Sequence, residues 1–206
     1  MARSVDWPAL ERASPLLAVL PPSARRAARA VHLPKSARLF SRGDRPGAMY
    51  FVVSGEVHLV RLSPTGSEIV LQRARQGFLA EASLDQAAYH CDAVTVLPSE
   101  LLMLPRKTFL EALAADGFRS RWIAHLAREL RRVRAQAERL SLRTAQERIV
   151  HYLETEGNDG SIRLNQSKKD WAAELGLTHE ALYRTLARME RCGRIHIDGA
   201  SLSIRS

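Results

Sequence analysis

The sequence predicts an α+β chain: a β-rich N-terminal half, one long helix and a C-terminal winged helix-turn-helix. Three observations predict it. The hydrophobic period changes twice, from short turn-punctuated runs to a helical three-four step and back to short elements. Residues 165–195, NQSKKDWAAELGLTHEALYRTLARMERCGRI, carry two amphipathic helical patterns joined at Gly176-Leu177. Residues 193–204 then alternate Ile195, Ile197, Leu202 and Ile204 around Asp198-Gly199, a hairpin signal. The expected parts are 1–117, a β-rich domain with N-terminal helices; 118–141, the long helix; and 142–206, the winged module.

Composition narrows the class. The 206 residues suffice for one large or two modest domains. Lys and Arg number 31 against 22 Asp and Glu, a net +9 that favours nucleic acid or an anionic membrane surface as partner. No apolar run approaches the ~20 residues that span a bilayer. The start, MARSVDWPAL, lacks the apolar block of a secretory signal. Cys91 and Cys192, far apart, do not form a disulfide framework. A cytoplasmic protein with reduced thiols and no membrane partner is expected. No Ser/His/Asp order, phosphate loop or metal-ligand spacing points to catalysis, so a non-enzyme without cofactor is expected.

The elements follow in order. Up to about residue 30 the chain reads as helical, with Leu10, Leu16, Leu17 and Leu20 interrupted by Pro15 and Pro21-Pro22. From Ala37 to Leu104 it reads as short strands. Residues 49–62, MYFVVSGEVHLVRL, hold two β-rich runs split by Ser54-Gly55. A turn at Ser63-Pro64-Thr65-Gly66 leads into 68–73, and runs at 93–97 and 100–104 follow. Closely spaced short strands make a sandwich or barrel. Pro105 ends them and opens a helical region.

From Phe118 to Leu140 apolar residues fall at Phe118, Trp122, Leu126, Leu130, Val133, Ala137 and Leu140. The later steps alternate four and three, as in a coiled-coil seam. Such a stripe docks on the protein's own sheet or pairs with a second copy. It is narrower than a core-facing stripe needs to be, which favours a homodimer joined at Trp122, Leu126, Leu130, Val133, Ala137 and Leu140. A further helix is expected near 145–154, with Ile149, Val150 and Leu153 on one face, and a turn at 157–160.

The two-helix segment carries chemistry. Ser167 precedes Asp170 by three, a spacing that resembles a capping box. Trp171, Ala172 and Leu175 form the buried face of the first helix, Gly176 the tight turn, and Thr178 the cap of the second helix. Leu182, Leu186 and Met189 face inward, leaving His179, Glu180 and Arg184 exposed near the start. In this motif the N-terminal part of the second helix enters the major groove of DNA. Arg184 can donate two bonds to guanine O6 and N7, and Glu180 can accept from cytosine N4. His179 is suited to a neighbouring base or a phosphate. Lys168, Lys169 and the wing are suited to backbone phosphates. The competing reading is a plain surface Glu180–Arg184 pair.

The order of strands, seam helix and winged module resembles the cyclic-AMP receptor protein and fumarate-nitrate regulator (Crp/Fnr) family of bacterial transcription factors, over nearly the whole chain. The resemblance rests on FSRGDRPGAMYFVVSGEVHLV (40–60), GFLAEASL (77–84), CDAVTV (91–96), MLP (103–105) and the two-helix segment. It implies a cupin-like β-roll of cyclic-nucleotide-binding type, a dimerisation helix and a palindromic DNA operator, with RNA polymerase as a possible further partner. Glu180 and Arg184 match the family's principal base-contacting residues, and His179 falls where members vary.

The sensor departs from the nucleotide-binding pattern, broadly G-E-x-(S/A)-L followed by an Arg. Glu81 matches the acidic position, which the resemblance assigns to ribose, with Ala82 and Ser83 beside it. The preceding Gly is Ala80 here, and the phosphate-pairing Arg position is Cys91, next to Asp92. Val133 and Arg134 stand where a polar pair reads the purine. Losing the guanidinium removes both charge and bidentate bonds to a cyclic phosphate. The expected regulator therefore does not bind cyclic AMP tightly, and its small-molecule effector is unidentified. Alternatives are a signalling module whose β-roll binds a small molecule and whose tail contacts protein, a haem or redox sensor through His90-Cys91, or a non-specific architectural DNA binder. An iron–sulfur cluster lacks its four cysteines within one subunit.

Overall fold

The computed structural model describes residues 5–66 and 68–205. The chain divides into two compact units, Met1–Ala124 and His125–Ser206.

The first unit opens with helix α1 (Trp7–Ala13), a 3₁₀ turn at Leu17–Val19 and helix α2 (Pro22–Ala27). The Asp6 carboxylate accepts the Ala9 N–H at 3.1 Å and starts α1. Leu10, Leu16, Leu17 and Leu20 are all buried, as their pattern implied. Strands β1 (Arg29–Leu33), β8 (Ser99–Pro105), β3 (Ala48–Ser54) and β6 (Gly77–Leu79) form one antiparallel sheet in that order. Strands β2 (Arg38–Phe40), β7 (Asp92–Thr95), β4 (Val57–Leu62) and β5 (Glu68–Ala74) form the other. Helix α3 (Arg106–Ala112) follows Pro105. The expected strand-rich roll is thus two four-stranded sheets.

β1 corrects the sequence reading, which continued helix to about residue 30 and began strands at Ala37. None of its five residues is buried, so its apolar pattern is weak. Its ladder with β8, from Arg29↔Met103 to Leu33↔Ser99, holds it extended. That partner lies some seventy residues away in sequence and leaves no local signal.

The central strands serve two cores. On β3 and β8, Val52 and Leu101 face a core with Val57, Leu59, Leu79 and Cys91. Met49, Phe51, Leu102 and Leu104 face a second core with the N-terminal helices, Phe109, Phe118 and Trp122. Alternation along a strand makes this division possible.

Helix α4 (Asp116–Ser141) begins two residues before the expected start. Its stripe changes owner along its length. Trp122, placed in the dimer seam by its spacing, is only 3% exposed. Its ring packs edge-on against Phe78 at 5.2 Å and Phe109 at 4.8 Å, inside the first unit's own core. The remaining seam positions Leu126, Leu130, Val133, Ala137 and Leu140 are exposed in one chain, and Ile123 joins them.

The second unit contains α5 (Ala145–Glu156), β9 (Ser161–Arg163), α6 (Lys168–Glu174), α7 (His179–Arg191), β10 (Ile195–Asp198) and β11 (Ser201–Ile204). Its core joins Ile149, Leu153, Trp171, Leu182, Leu186 and Leu202. The wing is a three-stranded sheet, β10-β11-β9. β9 is too short and polar to register as a strand in the sequence; pairing Ile162↔Leu202 defines it. The hairpin pairs Asp198 with Ser201, so its loop is Gly199-Ala200, one residue beyond the expected centre.

Because Trp122 is a core residue, Trp122→Ala is expected to destabilise the first unit by ~3–5 kcal/mol. Urea unfolding followed by circular dichroism measures this. A loss below ~1 kcal/mol, typical of an exposed position, would contradict the assignment.

Candidate nucleic-acid interface and effector pocket

The two helices meet as their residues dictate. The Ser167 hydroxyl accepts the Asp170 N–H at 3.1 Å and bonds the Asp170 carboxylate at 2.6 Å. A full reciprocal capping box forms at Thr144–Glu147, at the head of α5, where the sequence reading passed over the same T-x-x-E signature. Trp171, Ala172 and Leu175 bury the inner face of α6. Gly176 turns the chain at φ +65°, and a Cβ there would lie 2.8 Å from Leu140 Cδ2 and 3.0 Å from Arg148 Nη1. Thr178 caps α7 by accepting the Ala181 N–H at 3.1 Å.

Leu182, Leu186 and Met189 form the buried face of α7, as expected. Thr185 shares that face and donates its hydroxyl to the Ala181 carbonyl at 2.7 Å. The opposite face exposes His179, Glu180 and Arg184 within the first two turns. Among the described residues no ion pair joins Glu180 to Arg184, so the plain surface pair does not form. The Glu180 carboxyl is held below the usual carboxylate range, chiefly by its own backbone N–H and next by the Thr178 hydroxyl. It is therefore an anion at neutral pH, able only to accept hydrogen bonds.

Sequence reasoning missed Tyr183. It is 45% exposed on the same face, 4.5 Å from the His179 ring, centroid to centroid. Lys168 Nζ sits 5.2 Å from the centre of the Tyr183 ring. The signal was available: His179 and Tyr183 are four apart on a polar helical face. Lys168 is thus half-buried against Tyr183, whereas Lys169 is exposed.

The expected effector residues are less gathered. Glu81 and Ser83 lie in a 3₁₀ turn, Glu81–Ser83, with Ala82 exposed between them. Ala80, in place of the family's Gly, holds φ +65°, a left-handed conformation that costs an L-residue ~1–2 kcal/mol. Ser83 and Cys91 do not line an open pocket; they are 1% and 0% exposed. Cys91 belongs to the core beside Phe40 and Tyr89, whose rings stack with centroids 3.6 Å apart. This packing fills the inside of the roll near the expected phosphate position. Asp92 spends one carboxylate oxygen on the Arg42 N–H at 2.8 Å. Val133 and Arg134 are exposed on α4 and belong to the second unit.

The haem and redox reading of His90-Cys91 meets the same geometry. His90 is exposed, with Nδ1 3.2 Å from the Ser83 hydroxyl, while Cys91 is buried. Burial first, and the neighbouring Asp92 charge second, push the Cys91 thiol up, which disfavours the thiolate needed for ligation or redox attack. Among the described residues no cluster of three or more His, Cys, Asp or Glu is placed to hold a metal ion.

A β-roll, a long helix and a winged module presenting Glu and Arg from its second helix define a DNA-binding transcription regulator. Residues 30–116 match the cyclic nucleotide-binding domain family, and residues 147–206 match the Crp-like helix-turn-helix domain family. The chain is 30% identical over 180 residues to the cyclic AMP receptor protein of Thermus thermophilus, covering 84% of this chain and 82% of that protein. It is 29% identical over 186 residues to the nitrogen fixation regulation protein FixK of Bradyrhizobium diazoefficiens, covering 85% and 78%. The solved structure of FixK2 from Bradyrhizobium japonicum shares the fold, with a TM-score of 0.65 at 21% identity over 87% of this chain and 93% of that one. The protein belongs to the Crp/Fnr family of transcription regulators.

The two thiols should differ sharply. Under native conditions iodoacetamide is expected to alkylate exposed Cys192 and spare buried Cys91, as read by peptide mass spectrometry. Equal labelling of both would contradict the packed roll.

Proposed function

We propose that the protein acts as a homodimer that reads a palindromic operator through α7, and that cyclic AMP is not its effector. The exposed row of Glu180 and Arg184, opposite a fully buried helix face, carries this reading. Glu180 accepts from a cytosine amino group, and Arg184 pairs with a guanine, so one G·C pair in each half-site is read. His179, Tyr183 and Thr178 flank them at the groove. Lys169, Lys168 and the wing bind phosphates and fix register. The exposed residues Ile123, Leu126, Leu130, Val133 and Leu140 support pairing of two copies along α4. A dimer then presents two reading helices ~34–36 Å apart. No helix among the described residues is long and apolar enough to cross a membrane.

The case against cyclic AMP rests on Cys91. A buried, protonated thiol stands where nucleotide-binding members carry a guanidinium, and the Phe40–Tyr89 stack lies beside it. An anionic phosphate there would lose its counter-charge and displace packed aromatic area.

Arg184→Ala is expected to weaken binding by ~1–3 kcal/mol at one G·C pair per half-site and to relax discrimination there. Lys169→Ala is expected to lower affinity evenly across sequences and reduce the salt slope by about one. Binding assays with systematically substituted operators decide between the two, and unchanged discrimination in Arg184→Ala refutes the assigned role.

Calorimetric titration with cyclic AMP is expected to show affinity no better than ~1 mM. Micromolar binding would overturn this part of the reading.

A further inference from the structure

Within the second unit, two arginines tie the end of α4 to its neighbours, Arg148 to the turn of the helix-turn-helix and Arg139 to α5. Arg148, near the head of α5, spreads its guanidinium across four backbone carbonyls. Nε donates to Leu142 at 3.0 Å and Nη2 to Leu140 at 3.3 Å. Nη1 donates to Leu175 and to Gly176, each at 3.1 Å. Leu140 lies in the last turn of α4 and Leu142 just beyond it; Leu175 and Gly176 directly follow α6 and make the turn into α7. Helix C-termini leave carbonyls without helical partners and carry partial negative charge. One guanidinium serves two such ends together.

Arg139 makes the reverse connection. It lies on α4, is fully buried, and donates Nη2 to Thr155 Oγ1 and Glu156 Oε1, both at 3.0 Å, at the far end of α5. Its guanidinium rests 4.6 Å from the Tyr152 ring centre. The last turns of α4 and the whole of α5 are therefore cross-tied at both ends. Gly176 makes the contact with the turn possible, because a Cβ there would press on Arg148 Nη1 and Leu140.

We propose that Arg148 is a positioning residue: it fixes the angle between α4 and the reading helix, and so sets the half-site spacing that a dimer accepts. The proposal rests on the dimeric, operator-reading function above. A rigid joint transmits the geometry of the α4 pair to two reading helices. A loosened joint lets each reading helix find its half-site over a wider range of spacings. Lysine cannot replace this arginine, since one ammonium lacks the planar fork that reaches four carbonyls.

The test uses the full-length protein and synthetic palindromes with half-sites at the selected spacing and one or two base pairs to either side. Wild type is expected to lose about tenfold in affinity or more per base pair of displacement. Arg148→Lys is expected to lose only about threefold or less, while keeping its preference for the G·C pair read by Glu180 and Arg184. Thr144→Ala removes the α5 cap without touching the four carbonyl bonds, so it controls for general weakening and should keep the wild-type spacing penalty. An Arg148→Lys protein as spacing-sensitive as wild type overturns the proposal alone. A wild type indifferent to spacing removes the paired reading and the proposal with it. Arg148→Gln is the second variant. If circular dichroism shows the winged unit unfolded in both substitutions, Arg148 is assigned to stability instead and the proposal fails.

Discussion

Carbonyls at the ends of α4 and α6 that lack helical partners converge on one side chain in the DNA-binding unit, Arg148. A helix that stops inside a folded unit must satisfy its last carbonyls from outside the helix. Here both ends stop within reach of Arg148, which removes the need for separate caps. The geometry then propagates. Gly176 must be left-handed and bare, α6 must end where it does, and Thr178 can open α7 at once. The exposed row on α7 begins at His179, shortly after this joint. Hydrophobic burial of Trp171, Leu182 and Leu186 supplies cohesion, which is non-directional. The hydrogen bonds supply the angle.

The first unit solves a different problem. Between its two sheets Phe40, Tyr50 and Tyr89 pack together beside Cys91. The turn before β4 shows how tightly the roll closes. Gly55 has φ +86°, and a Cβ would come 2.4 Å from the Pro98 carbonyl oxygen. Next to it Glu56 is buried, with His58 Nε2 2.7 Å and Arg75 Nε 2.9 Å from its carboxylate oxygens. A buried polar group needs such hydrogen-bond partners. The Glu56 cluster thus joins β4 to the segment after β5, and Cys91 adds to the buried core beside Phe40 and Tyr89.

Legibility in the sequence followed locality. α6 and α7 were readable because each needs only its own periodicity, a capping hydroxyl and one glycine. The hairpin was readable because its alternation and turn lie within a dozen residues. β1 and β9 were not, because both are defined by partners distant in sequence and show almost no apolar alternation of their own. Trp122 was misassigned for a related reason. Its spacing fits the seam as well as Leu126 does, and only the presence of Phe78 and Phe109 against it decides the owner. At the site, Glu180 and Arg184 were found from residue type and helical position. Tyr183 is set apart only by its contacts, the His179 ring and the Lys168 ammonium. Arg148 was invisible, since a single arginine on a basic chain gives no hint of four carbonyls converging on it.

The distribution of charge sharpens this point. Basic residues outnumber acidic ones 16 to 11 in Met1–Ala124 and 15 to 11 in His125–Ser206. The excess that first suggested a nucleic-acid partner is therefore shared almost evenly, and does not mark the DNA-reading unit. Long-range attraction to DNA depends on the summed field and falls within a Debye length of ~8 Å at physiological salt. Such a field brings a duplex close without choosing a sequence. On the proposed reading, choice comes from an exposed anion, Glu180, and an exposed guanidinium, Arg184, one helical turn apart on α7. In this chain the informative property of an arginine is its position: Arg184 is exposed on α7, Arg139 is buried against α5, and Arg148 spans the end of α4 and the turn into α7.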